Sequence, residues 1–502
     1  MELNVDRTAW TPGHHPHLYE INTWAWLEDL SLRYARPVTL GSVPEEEWDR
    51  LRFLGFDLVW LMGVWKRSAE GRRIFRTNVN MFPLYDAALP AWSLDDVTGS
   101  PYSIQDYAPA PRIGSWSDLD AARAKLHERH IGLILDFVPN HTGPDHPWVQ
   151  SHPEYYVQGT LAEFRKNPEA FFLAEADRSA RFIAHGKDPY FPPWPDTAQL
   201  NYYNPELRSA MIDVLRSVAK HADGVRCDMA MLCQNDIFTR NWKSLLSRSK
   251  PPSEEFWTLA FAAVPGFVWI AEVYWDLELQ LQELGFDFTY DKGFYGRLRD
   301  SSPRDVRQYL EASASSGHRM VRFLENHDEV RALSAFGKDH LYAAATIMAT
   351  LPGLRFYHDG QLEGKRLHMP IQLRRAVAEQ PDREVSALYA KLLQISRDPV
   401  FHQPDWKLLE INPDGDTSSG NLIAYRWKAG REFRVVVVNL GATAAQGRIF
   451  LHEELEASHR YSFHDLLDGS EYERAGKDLI ENGLFVRREG YQAHLFAVST
   501  LN

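Results

Sequence analysis

Two ionisable residues interrupt the apolar stretch 224–231, which reads GVRCDMAM. In a strand, alternate residues share a face, so Arg226 and Asp228 are expected to project in the same direction. The positive charge of an adjacent arginine lowers the pKa of an aspartate and keeps it ionised. An ionised carboxylate on a buried strand can act as the nucleophile for a covalent intermediate. A structural ion pair would produce the same pattern, so the assignment depends on whether the chain supplies partners.

Other polar residues stand where three further apolar runs stop. They are Asp136, Asn140, His141, Glu272, Glu325, Asn326, His327 and Asp328. A single carboxylate at a strand end is commonly a helix cap or a salt-bridge partner. Several carboxylates and histidines converging at one place are harder to explain in this way, because like charges crowded together cost stability unless function requires them. The whole set therefore favours a catalytic site.

The elements that position these residues form a repeating pattern of short apolar runs and helical stretches. The runs lie near 18–26, 56–62, 131–138, 224–231, 267–273, 286–290, 320–324 and 354–357. Continuous apolar runs indicate strands covered on both faces, and hence a parallel sheet. Eight such units predict an α/β fold, a (β/α)₈ TIM barrel, with an open doubly wound sheet as the alternative. Catalytic residues of such barrels lie at the carboxyl ends of the strands.

Two changes in the amino-acid pattern along the chain predict the domain organisation. A stretch after the third strand, 143–200, is rich in aromatic residues and proline and is predicted to be an inserted lid domain. The barrel is then formed by 1–142 and 201–398. Strands separated by turns fill 399–502, with a hairpin turn at Ala429-Gly430, and predict an antiparallel β-sandwich.

Composition narrows the classes of partner. The net charge of −13 argues against nucleic acid, and 16 Trp, 21 Tyr and 26 Phe suit stacking against sugars. The chain has no run of ~18 apolar residues and no signal-like start, so we expect no membrane span and a cytoplasmic protein. Cys227 and Cys233 are expected to be reduced thiols. The oligomeric state stays open.

The spacing of the polar residues resembles a known family. Asp136-x-x-x-Asn140-His141, Gly224-x-Arg226-x-Asp228, Glu272 and Asn326-His327-Asp328 are similar, in order and strand context, to the four signature regions of the alpha-amylase family, glycoside hydrolase family 13. The stretch 102–107, which begins with Tyr102, resembles a further element of the family. The resemblance covers nearly the whole chain, including the insertion and the terminal sandwich.

The resemblance implies a role for each matched residue. Asp228 corresponds to the nucleophile, Glu272 to the general acid, and Asp328 to the carboxylate that binds hydroxyls of the distorted sugar. The residues that match groups around the sugar at the cleavage site are Tyr102, Asp136, His141, Arg226 and His327.

Retaining chemistry needs one ionised and one protonated carboxyl about 5–5.5 Å apart. Arg226 is expected to keep Asp228 charged. Glu272, flanked by Ala271 and Val273, has no cation beside it in the sequence. We therefore expect the two pKa values to separate, with that of Glu272 the higher.

Two departures from the family pattern bear on metal binding and specificity. Many members bind calcium through the asparagine that matches Asn140 and an aspartate near the end of the lid, where this chain has Gln199. Calcium prefers charged oxygen ligands, so no metal or other cofactor is expected. The stretch 229–232 lacks the Lys-His pair that in typical alpha-amylases contacts sugar on the leaving-group side.

The predicted function is a retaining α-glycoside hydrolase that acts on α-glucosides or α-glucan oligosaccharides through a β-glycosyl-enzyme. An α-glucan transglycosylase, with a sugar acceptor in place of water, would use the same residues. A non-catalytic carbohydrate-binding relative is the third reading, and it would be expected to lack one of the carboxylates or to carry a membrane anchor.

Overall fold

A closed barrel of eight parallel strands forms the centre of the protein. The computed structural model describes residues 14–176, 179–246, 250–451 and 454–501 of the 502-residue chain. The barrel strands, numbered in chain order, are β1 (His17–Asn22), β2 (Leu58–Met62), β3 (Gly132–Phe137), β4 (Gly224–Cys227), β5 (Val268–Ala271), β6 (Phe288–Tyr290), β7 (Met320–Arg322) and β8 (Leu354–His358). Because β1 pairs with both β2 and β8, the sheet closes. The predicted barrel is confirmed, and the open sheet is excluded.

The barrel strands are buried along their whole length, as continuous apolar runs require. Close packing decides some residue types. At Gly224, the first residue of β4, a Cβ atom would lie 2.5 Å from the backbone oxygen of Val268 in β5. Only glycine permits this approach of neighbouring strands.

Helices alternate with the strands and cover the barrel. They include Thr23–Arg33, Glu45–Leu54, Trp116–His127, Pro205–Val218, Asn235–Trp242, Phe256–Ala263, Glu278–Leu284, Lys292–Asp300, Pro303–Ala312, Ala332–Thr350 and Arg383–Ser396. Two further helices, Ala69–Thr77 and Phe82–Ala88, follow a hairpin strand Trp65–Arg67 that pairs with Ile104–Pro109.

Two strand predictions were too long. The first run was expected to continue to Trp26, but β1 ends at Asn22, whose side chain accepts the Ala25 N–H and caps the next helix. The aromatic residues that favoured a strand there belong to that helix. The run 224–231 was likewise expected to be one strand, but Met229 adopts a left-handed conformation and 230–233 form a 3₁₀ turn.

The insertion after β3 carries a small antiparallel sheet. Its strands are Gln158–Gly159, Phe171–Ala176 and Ser179–Ala184. Residues His141–Thr142 pair with Ala198–Gln199, which ties the start of the insertion to its end. The ring of Tyr190 lies 5.1 Å from that of Trp275, in the loop after β5. The insertion therefore contacts the catalytic face of the barrel.

The carboxyl-terminal part forms two antiparallel sheets. The larger sheet contains Trp406–Leu408, Leu422–Ala429, Glu432–Asn439, Ala493–Leu501, Arg460–Asp465 and Glu471–Ala475. The smaller contains Ile411–Asn412, Ala445–Ile449 and Leu484–Arg488, and a helix, Gly476–Asn482, lies beside them. Val437 of the larger sheet and Val486 of the smaller belong to one buried cluster, as in a sandwich. Gly430, with φ +62°, lies in the tight turn predicted near Ala429.

Within the described ranges, none of the helices combines the length and the apolar character needed to cross a membrane. Cys227 and Cys233 are both buried and free.

Candidate active site

The three matched carboxylates meet at the carboxyl end of the barrel. Asp228 is the first residue after β4, and Glu272 is the first after β5. Their backbone N–H groups donate to Phe137 and Cys227 in the neighbouring strands, at 2.8 and 3.0 Å, so the pairing of the sheet continues through them. Asp328 stands in the loop that follows β7. The barrel thereby fixes the backbone positions from which the side chains of Asp228 and Glu272 project.

Arg226 lies between the first two carboxylates. Its Nη1 donates to Asp228 Oδ1 at 2.7 Å, and its Nη2 forms an ion pair with Glu272 Oε2 at 2.9 Å. The guanidinium is also surrounded by the rings of Trp60, Tyr102 and Tyr290, whose centroids lie 5.1, 5.3 and 5.5 Å away. These contacts hold the guanidinium of Arg226 in place, and its position determines the distance between the two carboxylates.

Burial dominates the protonation of this pair. It raises the pKa of Glu272 to about 7, although Arg226 acts in the opposite direction. Burial also raises the pKa of Asp228, and it outweighs the charge and hydrogen bond of Arg226. Arg226 thus lowers the pKa of Asp228 as expected, but the net shift is upward, because the sequence does not show how deeply the carboxyl is buried. The higher pKa of Glu272 was predicted correctly. Glu272 has no cation beside it in the sequence, but in the folded protein it contacts Arg226.

Two hydrogen bonds orient Glu272. Its Oε2 accepts the backbone N–H of Met229 at 2.7 Å, and its Oε1 accepts the hydroxyl of Tyr274 at 2.8 Å. Sequence reasoning did not find Tyr274; the available signal was an aromatic residue two positions beyond the carboxylate. The left-handed conformation of Met229, with φ +43°, aims its N–H at the carboxylate.

A second cation, His327, serves the third carboxylate. Its Nε2 lies 3.0 Å from Asp328 Oδ2 and 2.9 Å from the hydroxyl of Tyr102, and its Nδ1 lies 2.5 Å from Glu20 Oε1. Burial alone would lower the pKa of His327, but Asp328 and Glu20 together raise it well above its usual range. Against the effect of burial, the charged His327 lowers the pKa of Asp328 to about 2. Asp328 is therefore ionised throughout the working pH range.

Glu20 is a site residue that sequence reasoning missed. It lies in β1, is completely buried, and is 307 positions from His327 in the chain. Its Oε2 lies 4.0 Å from the Nε2 of His358, whose Nδ1 is 3.1 Å from Glu325 Oε1. Glu325 in turn pairs with Arg331 at 2.6 Å. A glutamate inside an apolar strand was the only signal in the sequence.

Two other predicted sugar contacts bind neighbouring protein groups. Asp136 accepts the N–H of Gly63 at 2.6 Å and the indole N–H of Trp60 at 3.1 Å, and burial raises its pKa to about 6. Burial lowers the pKa of His141 to about 4, and its ring lies 5.4 Å from that of Trp194 in the insertion. Direct contact of Asp136 and His141 with a sugar stays a prediction.

The residues at the family's calcium position do not fit a cation. The Nε2 of Gln199 donates toward three oxygens, Asn140 O, Asn140 Oδ1 and Leu200 O, at 2.9, 3.0 and 3.0 Å. An N–H group thus stands where oxygens that could ligate calcium converge. In the part of the chain that the structure describes, no group of three or more His, Cys, Asp or Glu is placed to hold a metal ion.

The surface beside Glu272 is apolar. Of the segment 229–232, only Met229 is partly exposed, and Ala230, Met231 and Leu232 are buried. The indole N–H of Trp257 binds the backbone oxygen of Ala230 at 3.0 Å and holds the turn in place. The position of the family's Lys-His pair therefore presents a thioether.

Comparison with known proteins agrees with this arrangement. Residues 46–411 match the family model described as the alpha amylase catalytic domain. The chain is 25% identical to Alpha-amylase MalA of Haloarcula japonica over 353 residues, which cover 68% of this chain and 48% of that protein. It is 24% identical to the oligo-1,6-glucosidase of Parageobacillus thermoglucosidasius over 367 residues, covering 62% and 59% of the two chains. The chain thus spans roughly half the length of these relatives.

The fold has close counterparts among solved structures. A noncanonic maltogenic alpha-amylase, AmyB from Thermotoga neapolitana, superposes with a TM-score of 0.70 at 21% identity, over 97% of this chain and 99% of that one. Identity at this level supports the fold alone. The family model, however, covers more than half of the sequence and includes all three strand-end carboxylates. The protein belongs to the alpha-amylase family.

Proposed function

We propose that the protein is a retaining α-glycoside hydrolase that acts on α-glucosides or α-glucan oligosaccharides. The observation that carries the proposal is the contact of one guanidinium, that of Arg226, with both Asp228 and Glu272. Retaining enzymes keep their two carboxyls about 5–5.5 Å apart, whereas inverting enzymes separate them by about 6.5–9.5 Å to admit water. Two carboxyls that share one cation favour the short separation.

In the first step, Asp228 attacks the anomeric carbon from the face opposite the glycosidic oxygen. The carbon–oxygen bond breaks as Glu272 transfers its proton to the leaving oxygen, and a β-glycosyl ester of Asp228 forms. A general acid is most effective when its pKa is near the working pH, and burial raises the pKa of Glu272 to about 7. Arg226 then stabilises the carboxylate that Glu272 has become.

In the second step, the ionised Glu272 takes a proton from water, whose oxygen bonds to the anomeric carbon as the ester of Asp228 breaks. The sugar is released with its original α configuration, and Glu272 is protonated again. Asp328 keeps its negative charge through both steps, because His327 holds its pKa low. That fixed charge stabilises the positive charge that develops on the sugar ring.

The thioether of Met229 suggests a preference for short substrates. Polar groups on the leaving-group side would bind further sugar units, but this surface offers no charged side chain from segment 229–232. A relative that matches this chain is named an oligo-1,6-glucosidase. We infer that short α-glucosides and oligosaccharides are hydrolysed in preference to long polymers.

The test is a substrate screen combined with product stereochemistry. Maltose, maltooligosaccharides, isomaltose, trehalose, sucrose, starch and glycogen would be compared, and the first product followed by NMR. We expect the α-anomer to appear first and to mutarotate afterwards. A first-formed β-anomer would contradict the retaining mechanism. Repeating the assay with an added sugar acceptor measures how far transglycosylation competes with hydrolysis.

No metal takes part in the proposed mechanism, since the amide of Gln199 occupies the position where oxygens converge. The cytoplasmic location and the boundaries of the lid domain stay predictions.

A further inference from the structure

A cavity with an unusual charge lies beside the catalytic site. It has a volume of about 550 Å³ and opens between the hairpin Trp65–Arg67 and the helix Ala69–Thr77. Six cationic side chains line it: Lys66, Arg67, Arg72, Arg76, Arg112 and Arg374. We call this cavity the cationic pocket. The chain carries a net charge of −13, so composition alone does not produce it.

Acidic residues compensate these cations only in part. One carboxylate lines the pocket, that of Asp95, which is 88% exposed and 3.8 Å from Arg76. Arg112 and Arg374 both pair with Glu28, and Arg374 also pairs with Asp96; both carboxylates lie outside the lining. In the part of the chain that the structure describes, Lys66 and Arg72 have no carboxylate within ion-pair distance. The pocket therefore keeps an excess of positive charge.

The deepest cation, Arg67, is the strongest sign of a missing anion. It is 8% exposed and lies 4.7 Å above the ring of Trp24. Its Nη1 donates to Thr98 Oγ1 at 2.9 Å and to Gly99 O at 2.7 Å, whereas its Nε and Nη2 have no hydrogen-bond partner. No carboxylate among the described residues lies within ion-pair distance of it. A buried charge without a counter-charge is strongly destabilising.

The protonation of Arg67 is consistent with this isolation. Burial lowers its pKa to about 9, and the opposing effects of Tyr102 and Asp136, in the wall of the active site, are smaller. An anion bound in the pocket would place a negative charge near Arg67 and raise its pKa. The neutral groups that now bind Arg67 position it without neutralising it.

We propose that the cationic pocket binds a phosphate group, carried by a sugar phosphate or present as orthophosphate. A phosphate monoester brings up to two negative charges and three acceptor oxygens, which suits several converging arginines better than a single carboxylate does. A pocket of this volume accommodates a sugar as well as the phosphate. The site goes beyond the proposed glycosidase activity, in which none of its six cations takes part.

The pocket adjoins the wall that carries Tyr102. Thr98 and Gly99, which Arg67 holds, lie four and three residues before Tyr102. At Gly99, with φ +83°, a Cβ atom would lie 3.0 Å from the backbone of Arg72, so the segment packs closely against the pocket. A bound phosphate group therefore braces the segment that leads to the catalytic site.

The experiment measures binding by calorimetry and by melting temperature in a buffer whose ionic strength is held constant with chloride. The probes are orthophosphate, glucose 1-phosphate and glucose 6-phosphate, with glucose as the uncharged control. The double variant Lys66→Ala/Arg72→Ala removes two exposed cations of the pocket and is expected to fold normally. The matched control is Arg52→Ala/Lys220→Ala, which removes two exposed cations elsewhere.

We expect a phosphate-bearing probe to raise the melting temperature of the wild type and of the control. In the pocket variant we expect binding at least about 10-fold weaker, because contacts between charged groups are lost. Tighter binding of a glucose phosphate than of orthophosphate identifies a sugar phosphate as the ligand, and equal binding identifies the free anion. Binding no stronger than that of chloride, or equal binding by both double variants, overturns the proposal. Neither result depends on whether the protein hydrolyses glycosides.

Discussion

The catalytic face contains two clusters, each with one cation that contacts two carboxyls. A carboxyl pKa rises in one cluster and falls in the other. In the Arg226 cluster, one cation contacts Asp228 and Glu272. In the His327 cluster, one cation contacts Glu20 and Asp328. The pKa of Glu272 rises to about 7, whereas that of Asp328 falls to about 2. The presence of a cation therefore does not decide whether a carboxyl keeps its proton.

Exposure and the number of nearby cations distinguish the two clusters. The side chain of Asp328 is 43% exposed, whereas those of Asp228 and Glu272 are 8% and 5% exposed. Burial raises the pKa of Asp328 as well, but the charge and hydrogen bond of His327, together with the charges of Arg226 and His368, outweigh it. In the Arg226 cluster, two carboxyls and one guanidinium are all withdrawn from water, and loss of hydration outweighs the attraction. One cluster thus holds a transferable proton near neutral pH, and the other holds a permanent charge.

The largest effect is expected from Asp228→Asn, which removes the proposed nucleophile and keeps the shape of the Arg226 cluster. We expect kcat to fall by about 10⁴-fold or more, because the glycosyl ester no longer forms. The measurement is hydrolysis of an activated aryl α-glucoside, with the melting temperature as a control for folding. Activity close to that of the wild type in a folded variant would disprove the assignment of Asp228.

Glu272→Gln is expected to lower kcat by about 10³-fold, because it removes the proposed general acid and base. The wild type should lose kcat/KM as the pH rises through about 7, where Glu272 gives up its proton. It should also lose activity at acid pH as Asp228 becomes protonated. The basic limb should be absent in the variant.

Tyr274→Phe offers a sharper test of the same group. The hydroxyl of Tyr274 donates to Glu272 and stabilises its charged form. Its removal should move the basic limb of the pH profile to higher pH, since a hydrogen bond to the charged form lowers a pKa. A basic limb that stays at the same pH in both Glu272→Gln and Tyr274→Phe would belong to another residue.

Glu20→Gln tests the His327 cluster. The pKa of His327 is raised in the folded state, so its protonation contributes stability below its unfolded pKa of about 6.5, and this contribution is lost as the pH rises through the folded pKa. Removing the charge of Glu20 should weaken this contribution and lower the free energy of unfolding by roughly 3 kcal/mol at pH 6. Since the imidazole also loses its anchor, kcat/KM should fall by up to about 100-fold.

Glu325→Gln is the matched control for that experiment. Glu325 is equally buried but pairs with Arg331 and His358, and within the described residues it forms no hydrogen bond or ion pair with His327. Both variants should unfold more readily, measured by urea denaturation at several pH values. Only Glu20→Gln should change the pH dependence of kcat/KM. An identical pH profile for the two variants would show that Glu20 is structural only.

The comparison also separates what the sequence could predict from what it could not. The barrel and the three carboxylates were predictable because apolar runs with polar ends are local patterns. Glu20 was not, because its partner His327 lies 307 positions away, in the loop after β7, and an acidic residue inside a strand has many explanations. The second contact of Arg226, with Glu272, depends on the pairing of β4 with β5. Burial reverses the expected direction of the pKa shift of Asp228, and burial is a property of the assembled barrel.

The smallest effect is expected from a chelator, because both clusters use cations that the chain itself supplies. With EDTA, kcat and the melting temperature should stay unchanged, since the Nε2 of Gln199 takes the place of a cation among three oxygens. Gln199→Glu is the informative variant: it places a carboxylate beside Asn140 Oδ1 and should be destabilised without calcium. Added calcium should then raise its melting temperature and leave that of the wild type unaltered. A wild-type protein that loses stability in EDTA would show that a metal ion supports the catalytic face. The comparison of the two clusters would then have to include the charge of that metal ion.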